Sequence, residues 1–190
     1  MALIASEFTT STGFDHIKAV QIVAHFLRKA GGKMDKMKLI KLVYLADRTS
    51  FGRRSHPMNF DEFFSMQHGP VASSALDGIN GKSGCKAWDA VHLVGVTVTI
   101  DQAVSTDRLS RNDREILDDV WAMFGNMSTL KLRQWTHDHC SEYEEVFGTR
   151  LSITYEEILQ AVGAEEADDI ARDLRRLQRE LGRLPKADAA

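Results

Sequence analysis

The amino-acid sequence predicts a mainly α-helical protein: a compact helical domain with a small β-hairpin or short sheet and a C-terminal amphipathic helix. Three observations carry this. Apolar residues recur at spacings of three and four through most of the chain, the period of helices with one face turned inward. Capping residues stand where these runs begin, and glycines stand just beyond where they end. Dense β-branched sequence is confined to residues 91–100, VHLVGVTVTI. A chain of 190 residues is long enough to bury one core without disulfides or metals. The expected division is a flexible N-terminus at 1–13, a helical domain at 14–163, and a terminal helix with its tail at 164–190.

The first helix is expected from about Asp15 to Lys29, with Ile17, Val20, Ala24 and Leu27 as its apolar stripe and Gly31-Gly32 closing it. Asp35 reads as the cap of a second helix, residues 36–51, ended by Gly52. Its apolar residues, from Met37 through Leu42 and Val43 to Ala46, occupy more than one side, which predicts a central helix packed by neighbours around much of its circumference. Pro57 stops any helix in the segment that follows, and Phe60, Phe63 and Phe64 predict an extended or turn-rich piece anchored in the core. Gly69-Pro70 then punctuates before a short helix at 71–79, whose inner face is Val71, Ala75 and Ile79, and a linker at 80–86.

Residues 91–100 form either a hairpin, with Gly95 at a turn or bulge, or one strand paired elsewhere. Ser110 and Asp113 make a capping box for a helix to Phe124, with Ile116, Leu117, Val120 and Phe124 inward. Ser128 caps the next helix, to about Asp138, and Thr154 with Glu157 opens a short one stopped by Gly163. In the last helix, residues 165–181, Ile170, Leu174, Leu177 and Leu181 fall four, three and four apart and make a narrow seam. The seam requires a partner: the chain's own body, a second protomer of a homo-oligomer, or another bound protein.

Charge is segregated although the net value is only -3. Between Arg28 and Arg54 nine basic residues face only Asp35 and Asp47, whereas Glu142 to Asp173 is acidic. Such poles either steer two different partners or are solvated helix faces. Cys85 and Cys140 lie far apart without a CxxC spacing, the usage of a reducing compartment. The first apolar residues, Met1 to Ala5, have the make-up of neither a signal peptide nor a membrane span, so a cytoplasmic protein is expected.

Catalytic chemistry finds little support. His137, His139 and Cys140 are zinc-binding residue types, but positions i and i+2 of a helix point apart and no second ligand pair follows. The segment 78–84, GINGKSG, has phosphate-loop residue types at the wrong spacing and with no strand before it. The pairs Asp118-Asp119 and Asp168-Asp169 fall on helices with regular apolar faces, the setting of solvated carboxylates. No cofactor or metal is called for. The basic second helix, with Asn59 and Gln67 nearby, has the residue types of a DNA reader, but its apolar residues leave less free surface than a recognition helix needs.

Residues 38–52, KLIKLVYLADRTSFG, and 65–72, SMQHGPVA, resemble the signature of the Panacea-domain antitoxins, a family that includes GepA-like phage-associated proteins; the SocA-type antitoxins are particularly similar. Residues 108–139 and the segment ITYEEIL, 153–159, resemble the same family, so the likeness spans about 15–163. After Thr136-His137 the chain departs from the pattern by lacking an earlier Trp or Pro-Trp, and the helix beyond Gly163 lies outside it. The resemblance implies a non-enzymatic protein that binds and neutralises a toxin encoded beside it. For SocA-type members it further implies an adaptor that delivers the toxin to the ClpX component of the ClpXP protease. It places the motif centre, and with it the toxin contact, at Tyr44, Asp47, His68, Gly69 and Pro70. The seam of Ile170, Leu174, Leu177 and Leu181 is then the expected surface for a second partner. The alternative is a DNA-binding autoregulator using the basic run from Lys33 to Arg54.

Overall fold

The computed structural model, which describes residues 13–183, is built around helix α2 (Lys36–Arg54). Leu39, Leu42, Tyr44 and Phe51 on different sides of this helix are all fully buried. A helix apolar around its circumference stabilises the fold only when other elements surround it. The neighbours are α1 (His16–Lys29), α4 (Arg111–Phe124), α5 (Thr129–His139) and α6 (Tyr155–Ala161). The rest of the expected N-terminus and the tail from residue 184 lie outside the described residues.

Two small antiparallel sheets flank the helices, so the protein is mainly α with a minor β part. The first has the order β1 (Lys33–Asp35), β5 (Thr97–Ile100), β4 (Val91–Val94), with Met34 opposite the fully buried Val98. The β-branched run is therefore a hairpin turning at Gly95, whose φ of 60° suits a residue without a side chain, and β1 completes its sheet. The second sheet has the order β3 (Gly69–Ala72), β2 (Phe63–Met66), β6 (Leu151–Ile153). Phe63 pairs with both Ala72 and Ile153, and all three are buried. Pro70 is tolerated in β3 because that strand lies at a sheet edge.

The caps read from the sequence hold. Asp35, Ser110, Ser128 and Thr154 each accept a backbone N–H of the following first turn, and both capping boxes are complete; Asp15, expected as the first residue of its helix, caps α1 in the same way. Asp113 also joins three helices, accepting from Lys18 at 2.9 Å and Arg54 at 2.8 Å. Its burial works against ionisation, but the hydrogen bonds from Lys18 and Arg54 more than reverse that and bring it down to about 2.

Some boundaries differ from expectation, and α7, expected at 165–181, runs over Ala167–Arg183. Gly52 does not end α2, which runs on to Arg54 and closes on Ser55 at φ 53°. A glycine inside a helix costs about 1 kcal/mol, and the last turn is held from outside by Arg53 to Asp119 and Arg54 to Asp113. The helix expected at 71–79 begins instead at Ser73, as α3 (Ser73–Ile79), with Val71 and Ala72 in β3. Its start is set by Asp61, whose carboxylate accepts from Ser74 N at 2.7 Å and Ala75 N at 3.0 Å, a cap supplied from outside the local sequence. The linker leads into a 3-10 turn, Lys86–Ala90, which buries Trp88 against Gly78; a Cβ on Gly78 would stand 2.1 Å from the indole.

The terminal seam divides. Helix α7 (Ala167–Arg183) packs against α6 through Ala167, Ala171 and Leu174, which join the same apolar core as Phe14 and Leu39. Ile170 is half-buried against that core, whereas Leu177 and Leu181 are 38% and 36% exposed. None of the helices among the described residues is long and apolar enough to cross a membrane.

Candidate functional site

A buried lysine organises the polar interior. Lys41 lies on the inner face of α2 with 1% of its surface exposed, and its Nζ donates to the carbonyl of Pro70 at 2.6 Å. Burial, reinforced by the nearby Arg133, lowers its pKa to about 7. Gly69 makes the approach possible. Its φ is 98°, and a Cβ there would lie 2.8 Å from Lys41 Nζ, 3.0 Å from Thr136 Oγ1 and 3.2 Å from the His137 ring. The segment from His68 to Pro70 is thus clamped between α2 and α5.

Around this clamp the side chains continue. The His137 ring lies 4.5 Å from that of Tyr143, whose hydroxyl donates to the carbonyl of Met66 at 3.2 Å. Burial lowers the pKa of His137, with Arg133 and Lys41 adding to the effect, and its Nε2 is buried without a hydrogen-bond partner. Deeper in, the Tyr44 hydroxyl donates to Glu142 Oε1, which also accepts from Arg48 Nε at 2.7 Å. Burial, and then the charge of Glu142, pushes the Tyr44 hydroxyl well above its ordinary range. Cys140 is buried and its thiol is raised to about 12 by burial and by Glu142, so it is held as an unreactive thiol.

Asp47 belongs to a separate buried pair. It accepts from Met58 N at 2.7 Å and so pins the segment after Pro57 to α2. Burial raises its pKa to about 7, with Asp61 contributing, and burial raises Asp61 to about 6. Both hold together the loop that leads into β2.

The five motif residues therefore fall into unlike places. Tyr44, Asp47, Gly69 and Pro70 are buried, and only His68 is exposed. The structure brings Gly69 and Pro70 against Lys41, Thr136 and His137, while Tyr44 and Asp47 act one and two helix turns further along α2. Lys41, Thr136, Glu142 and Tyr143 were not singled out from sequence. The available signal was the lysine inside an otherwise apolar run, since a buried lysine requires an acceptor. His137 and His139 do point apart: the first faces Tyr143, and the second stacks on Trp135 at 4.5 Å and 1°.

The basic run is largely engaged within the molecule. Lys29 pairs with Asp118, Arg48 with Glu142, Arg53 with Asp119 and Arg54 with Asp113. Lys36 donates to Asn80 and Lys38 to the carbonyl of Gly125. Acidic residues of α4 thus neutralise much of the surface that the DNA alternative requires. Part of the acidic pole is likewise taken up, with Glu142 buried and Glu156 paired to Arg175.

No curated protein and no solved structure matches the chain significantly. The family model described as antitoxin SocA-like, Panacea domain, matches residues 39–143. That span contains all the clamp residues from Lys41 to Tyr143 and runs over more than half of the 190 positions. The chain is a member of the Panacea-domain family of SocA-like antitoxins.

Proposed function

We propose that this protein binds and neutralises a cognate toxin protein, without catalysis of its own, as an adaptor that hands the toxin to the ClpXP protease in the cytoplasm. The observation that carries this reading is the coincidence of the family match with the clamp: every residue that fixes the His68–Pro70 segment lies within 39–143. The bond from Lys41 to the Pro70 carbonyl and the close packing of Gly69 against Thr136 and His137 hold one exposed turn in one conformation, and a preorganised surface binds with less loss of entropy. His68 makes the contact, and Tyr44, Asp47, Gly69 and Pro70 position it from within.

The adaptor arm is α7. Its buried half anchors it through Leu174, and its exposed half offers Leu177 and Leu181 beyond Ile170 as a surface for ClpX. Holding toxin and protease on one body raises the effective concentration of each at the other.

The test is co-expression with the product of the adjoining reading frame. The wild-type chain is expected to restore growth, to co-purify with that product, and to shorten its half-life only in cells that contain ClpXP. Leu177→Asp with Leu181→Asp should preserve co-purification and lengthen the half-life. No association between the purified chains overturns the toxin-binding reading, and an unchanged half-life in the double variant overturns α7 as the arm.

A further inference from the structure

The turn that carries His68 is gripped by basic residues that no carboxylate pairs with. Lys41 Nζ donates to the Pro70 carbonyl at 2.6 Å, Arg133 donates to the Gln67 carbonyl at 3.4 Å, and the His137 ring packs against Gly69. Among the described residues, Pro70 is the one hydrogen-bond acceptor of Lys41 Nζ. A lysine ammonium carries three N–H donors, and this one, with 1% of its surface exposed, has neither water nor an anion for the rest.

The neighbouring groups leave the charge uncompensated. On α2, Tyr44 and Arg48 are both engaged with Glu142, the nearest buried carboxylate. On α5, Arg133 adds positive charge, and Cys140 is held as a neutral thiol. The His137 Nε2 is buried with no partner, so protonating that ring would add a second charge without an acceptor. Beyond α5, the Tyr143 hydroxyl is spent on the Met66 carbonyl, and Glu145 lies exposed on the His137 side. The turn and β3 contribute His68 as their titratable group.

We propose that partner binding at the His68 turn is coupled to loss of a proton from Lys41, so that the turn takes up its partner with the lysine neutral and releases it when the lysine is protonated. The proposal rests on the toxin-binding reading above. A protein laid over His68 removes the water nearest the clamp and so raises the cost of a charge inside it. The neutral amine keeps an N–H for the Pro70 carbonyl, so the turn holds its shape. Protonation instead sets like charges on Lys41 and Arg133 against one turn, with His137 acting in the same direction. In the free chain Lys41 titrates near 7. Binding that expels its proton therefore strengthens as pH rises to about 7 and levels off above that value.

The test is calorimetry of the full chain with the purified product of the adjoining reading frame, in buffers of different ionisation enthalpy. Affinity is expected to be about tenfold weaker at about pH 6 than at about pH 8, with about one proton released at the lower pH and almost none at the higher. Lys41→Met keeps His68 and His137 and should bind within about twofold at the two pH values, and thermal melting confirms that it folds. A readout without any variant is the Lys41 Cε resonance of the wild-type chain, which should titrate near 7 when free and stay unshifted in the complex. Equal affinity at both pH values, tighter binding at the lower one, or the wild-type difference retained in Lys41→Met overturns the coupling and leaves the toxin-binding reading standing. So does a Cε resonance that titrates alike in the free chain and the complex. Failure to bind at either pH overturns that reading and this proposal with it.

Discussion

Arg48 and Glu142 stand 94 positions apart in sequence, yet Arg48 Nε donates to Glu142 Oε1 at 2.7 Å and fastens the segment after α5 onto α2. The Glu142 side chain is fully buried and also accepts from Tyr44. Removing one member of a buried ion pair leaves an uncompensated charge and typically costs about 3–5 kcal/mol. Arg48→Met is therefore expected to destabilise the protein by about that amount in urea unfolding. Adding Glu142→Leu to it should recover part of the loss, because the stranded carboxylate is gone. A double variant no more stable than Arg48→Met would show that the pair is not coupled.

Gly69 and His68 are neighbours with opposite expected behaviour. Gly69→Ala forces a side chain into a φ of 98° and within 2.8 Å of Lys41 Nζ, so a loss of about 1–3 kcal/mol is expected. His68 is exposed, and His68→Ala should change stability by less than about 0.5 kcal/mol. Both should weaken toxin binding, the first by displacing the turn and the second by removing a contact. Chemical denaturation beside calorimetric binding separates the two. A His68→Ala variant with wild-type affinity would remove His68 from the contact surface.

The buried carboxylates predict a pH dependence. Asp47 and Asp61 titrate near 7 and 6 in the folded chain, well above the ordinary carboxylate value of 3.8. Between about pH 4 and pH 7 the folded state therefore holds more protons than the unfolded state, and stability falls as pH rises through that window. Asp113 acts in the opposite direction, since its pKa is lowered to about 2 and its contribution is lost only as pH falls from about 4 toward 2. Denaturant midpoints measured from about pH 4.5 to about pH 7.5 should show the decline, and Asp47→Asn should flatten it. An unaltered slope in that variant would assign the pH dependence to other groups.

Lys41 extends the argument above neutrality. Its folded pKa of about 7 lies below the ordinary 10.5, so the unfolded chain binds the extra proton between those values. Stability should rise with pH across that interval, and Lys41→Met should abolish the rise. Thermal melting at about pH 7.5 and about pH 9.5 reads the difference. A rise that persists in Lys41→Met would mean that burial does not lower the lysine.

The two halves of α7 should respond differently. Leu174 is 6% exposed and packs into the core, so Leu174→Ala is expected to cost about 2–5 kcal/mol. Leu177 is 38% exposed, and Leu177→Ser should fall within about 0.5 kcal/mol of wild type. Equal losses in urea unfolding would mean that Leu177 is covered in solution by something other than the chain's own core.

Local chemistry sufficed for much of this. The helix-forming stretches and the capping boxes at Ser110 and Thr154 follow from residues within a few positions of one another, and a sequence displays such neighbours directly, whereas for residues 91–100 it left a hairpin and a single strand both open. The surrounded state of α2 was legible as well, because apolar residues on more than one side require neighbours around much of the helix. What lay beyond reach depends on partners far along the chain. The start of α3 is set by Asp61, thirteen positions before Ser74, and the three-residue strand β1 exists only because β5 is beside it, too short for any period to be read.

The candidate site divides the same way. The motif residues could be named from their sequence context, but whether each faces solvent or interior was decided by tertiary packing. It buried Tyr44 and Asp47, set Lys41 against Pro70, and left His68 outside. The basic run likewise looked free until α4 placed Asp113, Asp118 and Asp119 against it. Residue type and spacing alone determined the helical class and the ends of most helices, through bonds a few residues long. Exposure and charge pairing were decided by the tertiary structure, because they depend on which distant segment reaches each side chain.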